Sequence, residues 1–329
     1  MRTLANEDPG LAARALAGLT KYEHAARPPA RFERAGAFRA GPACLRDHGG
    51  SGPPLVLVPS LINPPHILDL DADTSLTRAL AVSHNAVLLL DWGPAADRSD
   101  LDVSAHVEQL LLPLLDQLGE RASLVGYCLG GTMAIAAANL TPVRSVATLA
   151  APWHFANYPD ASRNGLSDLW NQSRGAAQDF GALPMEMLQA AFWSLDPRRT
   201  VTKFAEFAAL PADSPEARRF VTLEDWANEG EPLPYPAARQ LMEDFFAADL
   251  PGRGEWTIAG RTIGPAPGAP MLHFTAARDA ITPAAAAPPG PTEQIASGHV
   301  GMIIGSARSD LHRRLSDFLS RLAAGEPTG

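Results

Sequence analysis

The chain has 329 residues, 46% of them hydrophobic, which is long enough for an α/β fold with a sizeable core. Its 27 basic and 36 acidic residues leave a net charge of −9 with no basic stripe, which argues against a nucleic-acid partner. The 2 cysteines cannot make a disulfide framework, and no stretch approaches the ~20 apolar residues of a membrane span. Since Met1 to Thr20 also lacks an apolar signal core, we expect a cytoplasmic protein without a transmembrane segment.

A repeating order of strand, loop and helix begins near residue 55. Apolar runs at 55–58, 86–91, 123–127 and 145–150 have the near-continuous hydrophobicity of buried parallel strands, and residues 101–118 have helical apolar spacing. This alternation predicts a mostly parallel, doubly wound α/β sheet. Residues 1–50 are rich in alanine and arginine and show little periodicity, so we interpret them as an N-terminal arm to a main domain of residues 51–329.

The alternation stops after Ala151 and resumes with an apolar run at 271–275 and an amphipathic helix at 306–323. Between them, residues from about 151 to 268 are irregular and hold five of the 6 tryptophans. We interpret this segment as a helical cap, or lid, inserted between two strands. The alternative is a second small structural domain whose aromatic residues form its own core.

The most informative motif is Gly126-Tyr127-Cys128-Leu129-Gly130-Gly131, which lies between an apolar strand and a helix. Small residues around a reactive side chain on a sharp strand-to-helix turn are typical of a nucleophile elbow, here with cysteine as the nucleophile. The helix N-terminus that follows favours a thiolate. The alternative is that Cys128 is a small buried core residue, as free cysteines often are.

A cysteine nucleophile needs a base, and the base needs an orienting group. Asp279 follows the predicted strand at 271–275, and His299 lies between glycines just before the last predicted helix. The chain order of nucleophile, acid and histidine is that of an α/β-hydrolase triad. The alternatives are that Asp279 is a turn former or helix cap and that His299 is an ordinary loop residue.

An oxyanion hole would use the backbone N–H of Leu129, the residue after the nucleophile. Its second donor is expected from the loop after the first core strand, at Ser60 or Leu61. We also expect Ile62, Asn63 and Tyr127, which adjoin these donors in sequence, to contact the substrate. The alternative for Asn63 is that it is a turn former. No cluster of His, Cys or Asp has metal-ligand spacing, so we predict neither a metal nor a cofactor.

These motifs resemble those of the polyhydroxyalkanoate synthases, specifically their catalytic α/β-hydrolase domain. The box Gly126 to Gly131 is similar to the family's G-x-C-x-G-G box, and the resemblance extends over about residues 50–320. The other matching segments are VPSLIN at 58–63, ILDL at 67–70, LDWG at 90–93, DWAN at 225–228, DFF at 244–246, RDAITP at 278–283 and GHVGM at 298–302.

The resemblance implies an acyltransferase with a Cys-His-Asp triad. Cys128 would accept the acyl group of a 3-hydroxyacyl-CoA, His299 would activate the thiol and the hydroxyl, and Asp279 would support His299. The partners implied are 3-hydroxyacyl-CoA, the growing polyester chain, and either a synthase partner subunit or a second copy in a homodimer. The short segment before the catalytic domain resembles synthases that work with a partner subunit, and the location implied is cytoplasmic, at the surface of polyester granules.

Two other functions stay open at this stage. The same triad could serve a hydrolase, either an acyl-CoA thioesterase or an intracellular depolymerase of the polyester, because only the group that resolves the acyl-enzyme differs. A non-catalytic granule protein could also keep the fold, although the intact triad argues against it. Binding of CoA would need basic side chains near the site. The candidates in the insertion are Arg174, Arg198, Arg199 and Lys203. The alternative is that these four are solvated surface charges.

Overall fold

The computed structural model describes residues 8–27, 34–83, 85–195 and 197–323. The chain divides into two compact units. The sheet unit comprises residues 34–185 and 231–329, and the helical unit comprises residues 1–33 and 186–230.

The sheet unit is built around eight strands. They are β1 (Gly36–Ala40), β2 (Ala43–Asp47), β3 (Pro54–Val58), β4 (Ala86–Asp91), β5 (Ser123–Tyr127), β6 (Ser145–Leu149), β11 (Met271–Ala276) and β12 (Thr292–Ile295), in the spatial order β1-β2-β4-β3-β5-β6-β11-β12. All neighbours from β4 to β12 are parallel, while β2 is antiparallel to both β1 and β4. Two short ribbons pair β7 (Ala182–Leu183) with β8 (Leu233–Pro234) and β9 (Thr257–Ile258) with β10 (Arg261–Thr262).

The helices complete the expected α/β alternation. In chain order they are α1 (Pro9–Glu23), α2 (Leu76–Val82), α3 (Val103–Ala105, His106–Leu111 and Leu112–Asp116), α4 (Leu129–Leu140), α5 (Asp160–Phe180), α6 (Met185–Leu195), α7 (Pro197–Ala209), α8 (Pro215–Asn228), α9 (Tyr235–Arg239 and Gln240–Ala247), α10 (Leu250–Arg253), α11 (Gly301–Ile304) and α12 (Arg308–Ala323). Every residue of β3, β5 and β6 is buried, because helices cover both faces of a parallel sheet. The predicted α/β class is therefore confirmed.

The sheet begins earlier than the sequence pattern predicts. Strands β1 and β2 lie within residues 1–50, which we had expected to form an arm outside the main domain. They form an antiparallel hairpin whose turn contains Gly41 with φ of 54°, and β2 pairs with β4 inside the central sheet. This corrects the boundary at residue 50. The hairpin escapes detection because β1 is an edge strand with a half-exposed alternating pattern rather than an apolar run.

The aromatic residues of the insertion form core. Four of its tryptophans are at most 6% exposed: Trp153, Trp170, Trp226 and Trp256. The side chain of the fifth, Trp193, lies outside the described residues. Within the sheet unit the ring centroids of Trp153 and Trp256 are 6.2 Å apart, and Phe245 contacts Trp256 edge-on at 5.0 Å. These rings bury large apolar surfaces against one another within the sheet unit. The interpretation of the insertion as a separate small domain stays open. A covering role for the insertion stays a prediction.

The helical unit joins the first helix of the chain to helices of the insertion. Helix α1 packs against α7, and the Lys21 ammonium donates to the carbonyl of Phe207 at 2.9 Å and to that of Leu210. A cation at these last carbonyls satisfies acceptors that the helix leaves open. The Tyr22 hydroxyl also donates to Asp225 at 2.6 Å, which ties α1 to α8.

Candidate active site

Cys128 occupies the turn between β5 and α4 in a strained backbone conformation. Its φ of 55° and ψ of −130° are rare for a residue with a side chain. The Cys128 N–H donates to the Leu149 carbonyl of the neighbouring strand at 2.9 Å, and its own carbonyl accepts from the Gly131 N–H at 2.9 Å. These two bonds hold the turn, so the partly exposed thiol is presented at the carboxyl edge of the sheet.

The glycines of the elbow are required by close packing. A Cβ at Gly130 would lie 2.1 Å from the Val58 carbonyl oxygen and 2.6 Å from the Pro59 carbonyl oxygen. A Cβ at Gly126 would lie 2.4 Å from the Cα of Gly131. The first turn of α4 therefore sits directly against both its own strand and the start of the loop after β3.

Asp279 and His299 form a buried pair. The His299 Nδ1 lies 2.8 Å from Asp279 Oδ2, with side-chain exposures of 7% and 0%. The other carboxylate oxygen, Oδ1, accepts the N–H groups of Ile281 and Thr282, each at 2.8 Å. Asp279 is thus a turn former and the partner of His299 at the same time, so the two interpretations of this residue do not exclude each other.

The imidazole of His299 faces the Asp279 carboxylate and the Cys128 sulfur. Burial lowers the pKa of His299, but the charge of Cys128 and the hydrogen bonds to Asp279 and Cys128 outweigh it and raise the pKa to about 10. Because Nδ1 donates to the Asp279 carboxylate, Nε2 is the nitrogen left for Cys128. The structure therefore brings together the three residues that sequence order singled out.

The loop after β3 carries backbone N–H groups with no protein acceptor. In the part of the chain that is described, neither the Ser60 nor the Leu61 N–H donates to a protein oxygen. The Ile62 N–H, by contrast, donates to the Ser60 hydroxyl at 3.3 Å. The close approach of Pro59 to Gly130 puts this loop beside the elbow, where Leu129 begins α4. Free donors at this place are what an oxyanion hole needs.

The residues predicted to contact substrate lie in different surroundings. Ile62 and Asn63 are half-buried in the loop after β3. Tyr127 is 4% exposed, and its ring centroid lies 5.1 Å from that of His299. Its hydroxyl donates to the His299 carbonyl at 3.4 Å. Tyr127 therefore packs behind the histidine, and contact of all three residues with substrate stays a prediction.

Tyr158 lies near the site and is not predicted from the sequence. Burial raises the pKa of Tyr158, as do the charges of Cys128 and Asp279, so its phenol stays neutral beside Thr282. The ring packs against Phe246 at a centroid distance of 5.0 Å. Tyr158 follows β6 in the aromatic insertion, and no motif distinguishes it there from the core aromatics.

The four cations of the insertion have different surroundings. Arg174, Arg198 and Arg199 are exposed, and the Lys203 ammonium pairs with Glu224 at 2.7 Å within the helical unit. A role in CoA binding stays a prediction for all four. Among the described residues, no three His, Cys, Asp or Glu side chains are grouped to hold a metal. Within the same residues, no helix is both long and apolar enough to cross a bilayer.

The chain is similar to curated proteins named Poly(3-hydroxyalkanoate) polymerase subunit PhaC. The Haloferax mediterranei protein is 27% identical over 287 residues, which cover 81% of this chain and 58% of the relative. The Haloarcula marismortui protein is 25% identical, with 83% and 62% covered, and the Allochromatium vinosum protein is 26% identical, with 81% and 80% covered. The chain thus spans 58–62% of the length of the first two relatives. No protein-family model matches the chain.

Solved structures share the architecture at lower identity. A lipase in its open form superposes with a TM-score of 0.55 at 16% identity, covering 89% of this chain and 99% of the lipase. A meta-cleavage product hydrolase from Pseudomonas fluorescens IP01 superposes with a TM-score of 0.52 at 15% identity, covering 88% and 99%. At such identities the likeness concerns the fold alone. The chain therefore has the α/β-hydrolase fold, and its resemblance to the polyhydroxyalkanoate synthases is confirmed by relatives that cover 81–83% of it.

Proposed function

We propose that this protein is an acyltransferase of the polyhydroxyalkanoate synthase type, which uses Cys128, His299 and Asp279 to elongate a polyester from 3-hydroxyacyl-CoA. The observation that carries the proposal is the strained cysteine elbow beside the buried His299–Asp279 pair. The names of the curated relatives support the choice of substrate and product.

The first half-reaction would transfer the acyl group to the enzyme. With the proton of its thiol already held by His299 Nε2, the Cys128 sulfur attacks the thioester carbonyl of 3-hydroxyacyl-CoA. The tetrahedral oxyanion accepts hydrogen bonds from the Leu129 N–H and from an N–H of Ser60 or Leu61. The CoA sulfur then leaves with the proton from His299, and Cys128 holds the acyl group as a thioester.

The second half-reaction would form the ester bond. His299 removes the proton from a 3-hydroxyl group, whose oxygen attacks the acyl thioester and releases the Cys128 sulfur. A cysteine nucleophile suits the preceding acylation, because the enzyme thioester resembles the CoA thioester in free energy. Asp279, through Oδ2, keeps the histidine oriented and stabilises its charged form.

Product analysis tests the proposal against hydrolysis. Purified protein given 3-hydroxybutyryl-CoA should release CoA and yield oligomeric or insoluble ester, with a candidate partner subunit added in parallel reactions. Formation of free 3-hydroxybutyrate in a 1:1 ratio with CoA, with no oligomer by mass spectrometry in either reaction, would instead assign a thioesterase. Release of acid from preformed polyester granules would assign a depolymerase.

A further inference from the structure

We propose that Trp92 is a positioning residue for the reaction, because its indole N–H holds the carbonyl from which the oxyanion loop starts. The Nε1 of Trp92 donates to the Pro59 carbonyl oxygen at 3.1 Å, and the indole is 3% exposed. Trp92 follows the last residue of β4, the strand next to β3. The inference rests on the proposed function, since it concerns the donors that would stabilise its transition state.

The Pro59 carbonyl lies where the loop after β3 meets the elbow. Pro59 immediately precedes Ser60 and Leu61, the loop residues whose N–H groups have no protein acceptor in the described chain. On its other side, the same carbonyl oxygen lies 2.6 Å from the position of a Cβ on Gly130. The indole therefore fixes the loop at its junction with the elbow, where a small displacement would change the distance between the two sets of oxyanion donors.

The indole is itself held by a buried network. The His106 ring contacts Trp92 edge-on, with centroids 5.6 Å apart and an interplanar angle of 82°. The Arg98 guanidinium lies 3.2 Å from His106 Nε2 and also donates to the Gly93 carbonyl at 3.1 Å. Arg98 and His106 are 4% and 0% exposed, so this support lies in the interior.

The hydrogen-bond chemistry allows one tautomer for His106. A guanidinium can only donate, so Nε2 of His106 must accept from Arg98. The proton is then on Nδ1, which donates to the Asp102 carbonyl at 2.7 Å. Burial, with the charge of Arg98, lowers the pKa of His106 to about 4, in agreement with a neutral ring. The ring that supports Trp92 thus keeps one orientation across the neutral pH range.

The test replaces Trp92 with Phe and compares it with a matched variant, Trp256→Phe. Trp256 is 1% exposed, and its Nε1 donates at 2.9 Å to the hydroxyl of Ser104 in α3 rather than to the loop after β3. Both variants lose a buried indole N–H bond. We expect Trp92→Phe to lower kcat for CoA release from 3-hydroxybutyryl-CoA by about 10- to 100-fold while KM changes less than about 3-fold. Trp256→Phe should keep kcat within about 2-fold of wild type, since the hydrogen bond that it loses holds no oxyanion donor.

Two further measurements separate positioning from a general loss of structure. The pH profile of Trp92→Phe should keep the apparent pKa values of wild type, because Trp92 bonds to neither His299 nor Asp279. If Trp92→Phe does not fold, benzothienylalanine at position 92, introduced by amber suppression, retains the shape and removes only the N–H. This variant should then show the same fall in kcat.

Three results would contradict either the positioning role of Trp92 or the proposed acyltransferase function. A Trp92 variant with kcat within about 2-fold of wild type would overturn the role, as would an equal loss in Trp256→Phe. Wild-type protein that releases no CoA in a Cys128-dependent manner would instead overturn the proposed function. The comparison of wild type with Cys128→Ala therefore separates the two failures.

Discussion

The two halves of the proposed active site are held in different ways. On the acid–histidine side, position depends on side chains: a carboxylate with 0% exposure binds the imidazole through one oxygen and two backbone N–H groups through the other. On the oxyanion side, position depends on main-chain packing. Gly130 has no room for a Cβ, and the Pro59 carbonyl beside it accepts a hydrogen bond from the indole of Trp92.

Because of this difference, substitutions in the two halves should have different effects on the reaction rate and on titration. Changes on the acid–histidine side remove a charge or a proton acceptor, so they should alter both rate and titration behaviour. Changes on the oxyanion side move neutral donors by fractions of an ångström, so they should alter rate while titration stays the same.

Cys128→Ala should abolish CoA release, because no other group on the elbow can form the acyl-enzyme. The free energy of unfolding should change by no more than about 1–2 kcal/mol, the range of ordinary substitutions. Steady-state assays with 3-hydroxybutyryl-CoA and denaturant unfolding check both parts. Full activity in this variant would contradict every catalytic role assigned here, whichever half of the site is considered.

His299→Ala should lower kcat by about 10³- to 10⁴-fold, and Asp279→Asn should lower it less. Removing both should cost little more than removing His299 alone, since groups that act as a unit have non-additive effects. Rates of the two single variants and the double variant form the test. Multiplicative losses in the double variant would show that the pair does not act as one relay.

Gly130→Ala should displace the loop after β3, because the new methyl group would overlap the Val58 and Pro59 carbonyl oxygens. We expect a loss of about 1–3 kcal/mol in stability, as for other overpacked sites, together with lower kcat. The matched control is Gly165→Ala on the exposed surface of α5, where no atom lies within 4 Å of the added Cβ. This control should gain about 0.5–1 kcal/mol with unchanged activity. A fully active and equally stable Gly130→Ala protein would show that the elbow and the loop are not tightly coupled.

The pKa of His299 should fall when the thiol is removed. In wild type, the charges of Cys128 and Asp279 outweigh burial and keep the imidazole protonated to about pH 10. In Cys128→Ala the largest of these raising influences is lost, so the proton should leave at lower pH. NMR titration of the histidine ring nitrogens measures this change, and Trp92→Phe should leave the titration unchanged. An unaltered His299 titration in Cys128→Ala would exclude Cys128 as the source of the raised pKa.

The sequence predicts the acid–histidine side better than the oxyanion side for a physical reason. Cys128, Asp279 and His299 have reactive side chains, and each lies at the end of a strand where this fold presents such groups. The contact of Trp92 with Pro59 joins residues that are 33 positions apart through a main-chain oxygen, which no residue type identifies. Tyr158 is hidden for a similar reason, because an aromatic residue near the site has the same identity as an aromatic residue in the core.

The sequence likewise predicts some strands of the sheet and not others. The central parallel strands are predicted correctly, since burial on both faces makes them continuous apolar runs. The edge strands β1 and β12 are not, since they expose alternate residues and β12 reads Thr-Glu-Gln-Ile. The inclusion of α1 in the helical unit is also not predicted, because α1 and the insertion helices that it packs against lie far apart in the chain.

Acylation of Cys128 is the most direct test of the central claim. Wild-type protein mixed with 3-hydroxybutyryl-CoA and quenched in acid should carry one or more 3-hydroxybutyryl units on the peptide that contains Cys128, as measured by mass spectrometry. The adduct should be absent from Cys128→Ala. In His299→Ala the adduct should persist longer than it does in wild type, because the base for the second step is missing. Release of CoA by wild type with no acyl group on Cys128 at any time point, together with equal release by Cys128→Ala, would contradict the account.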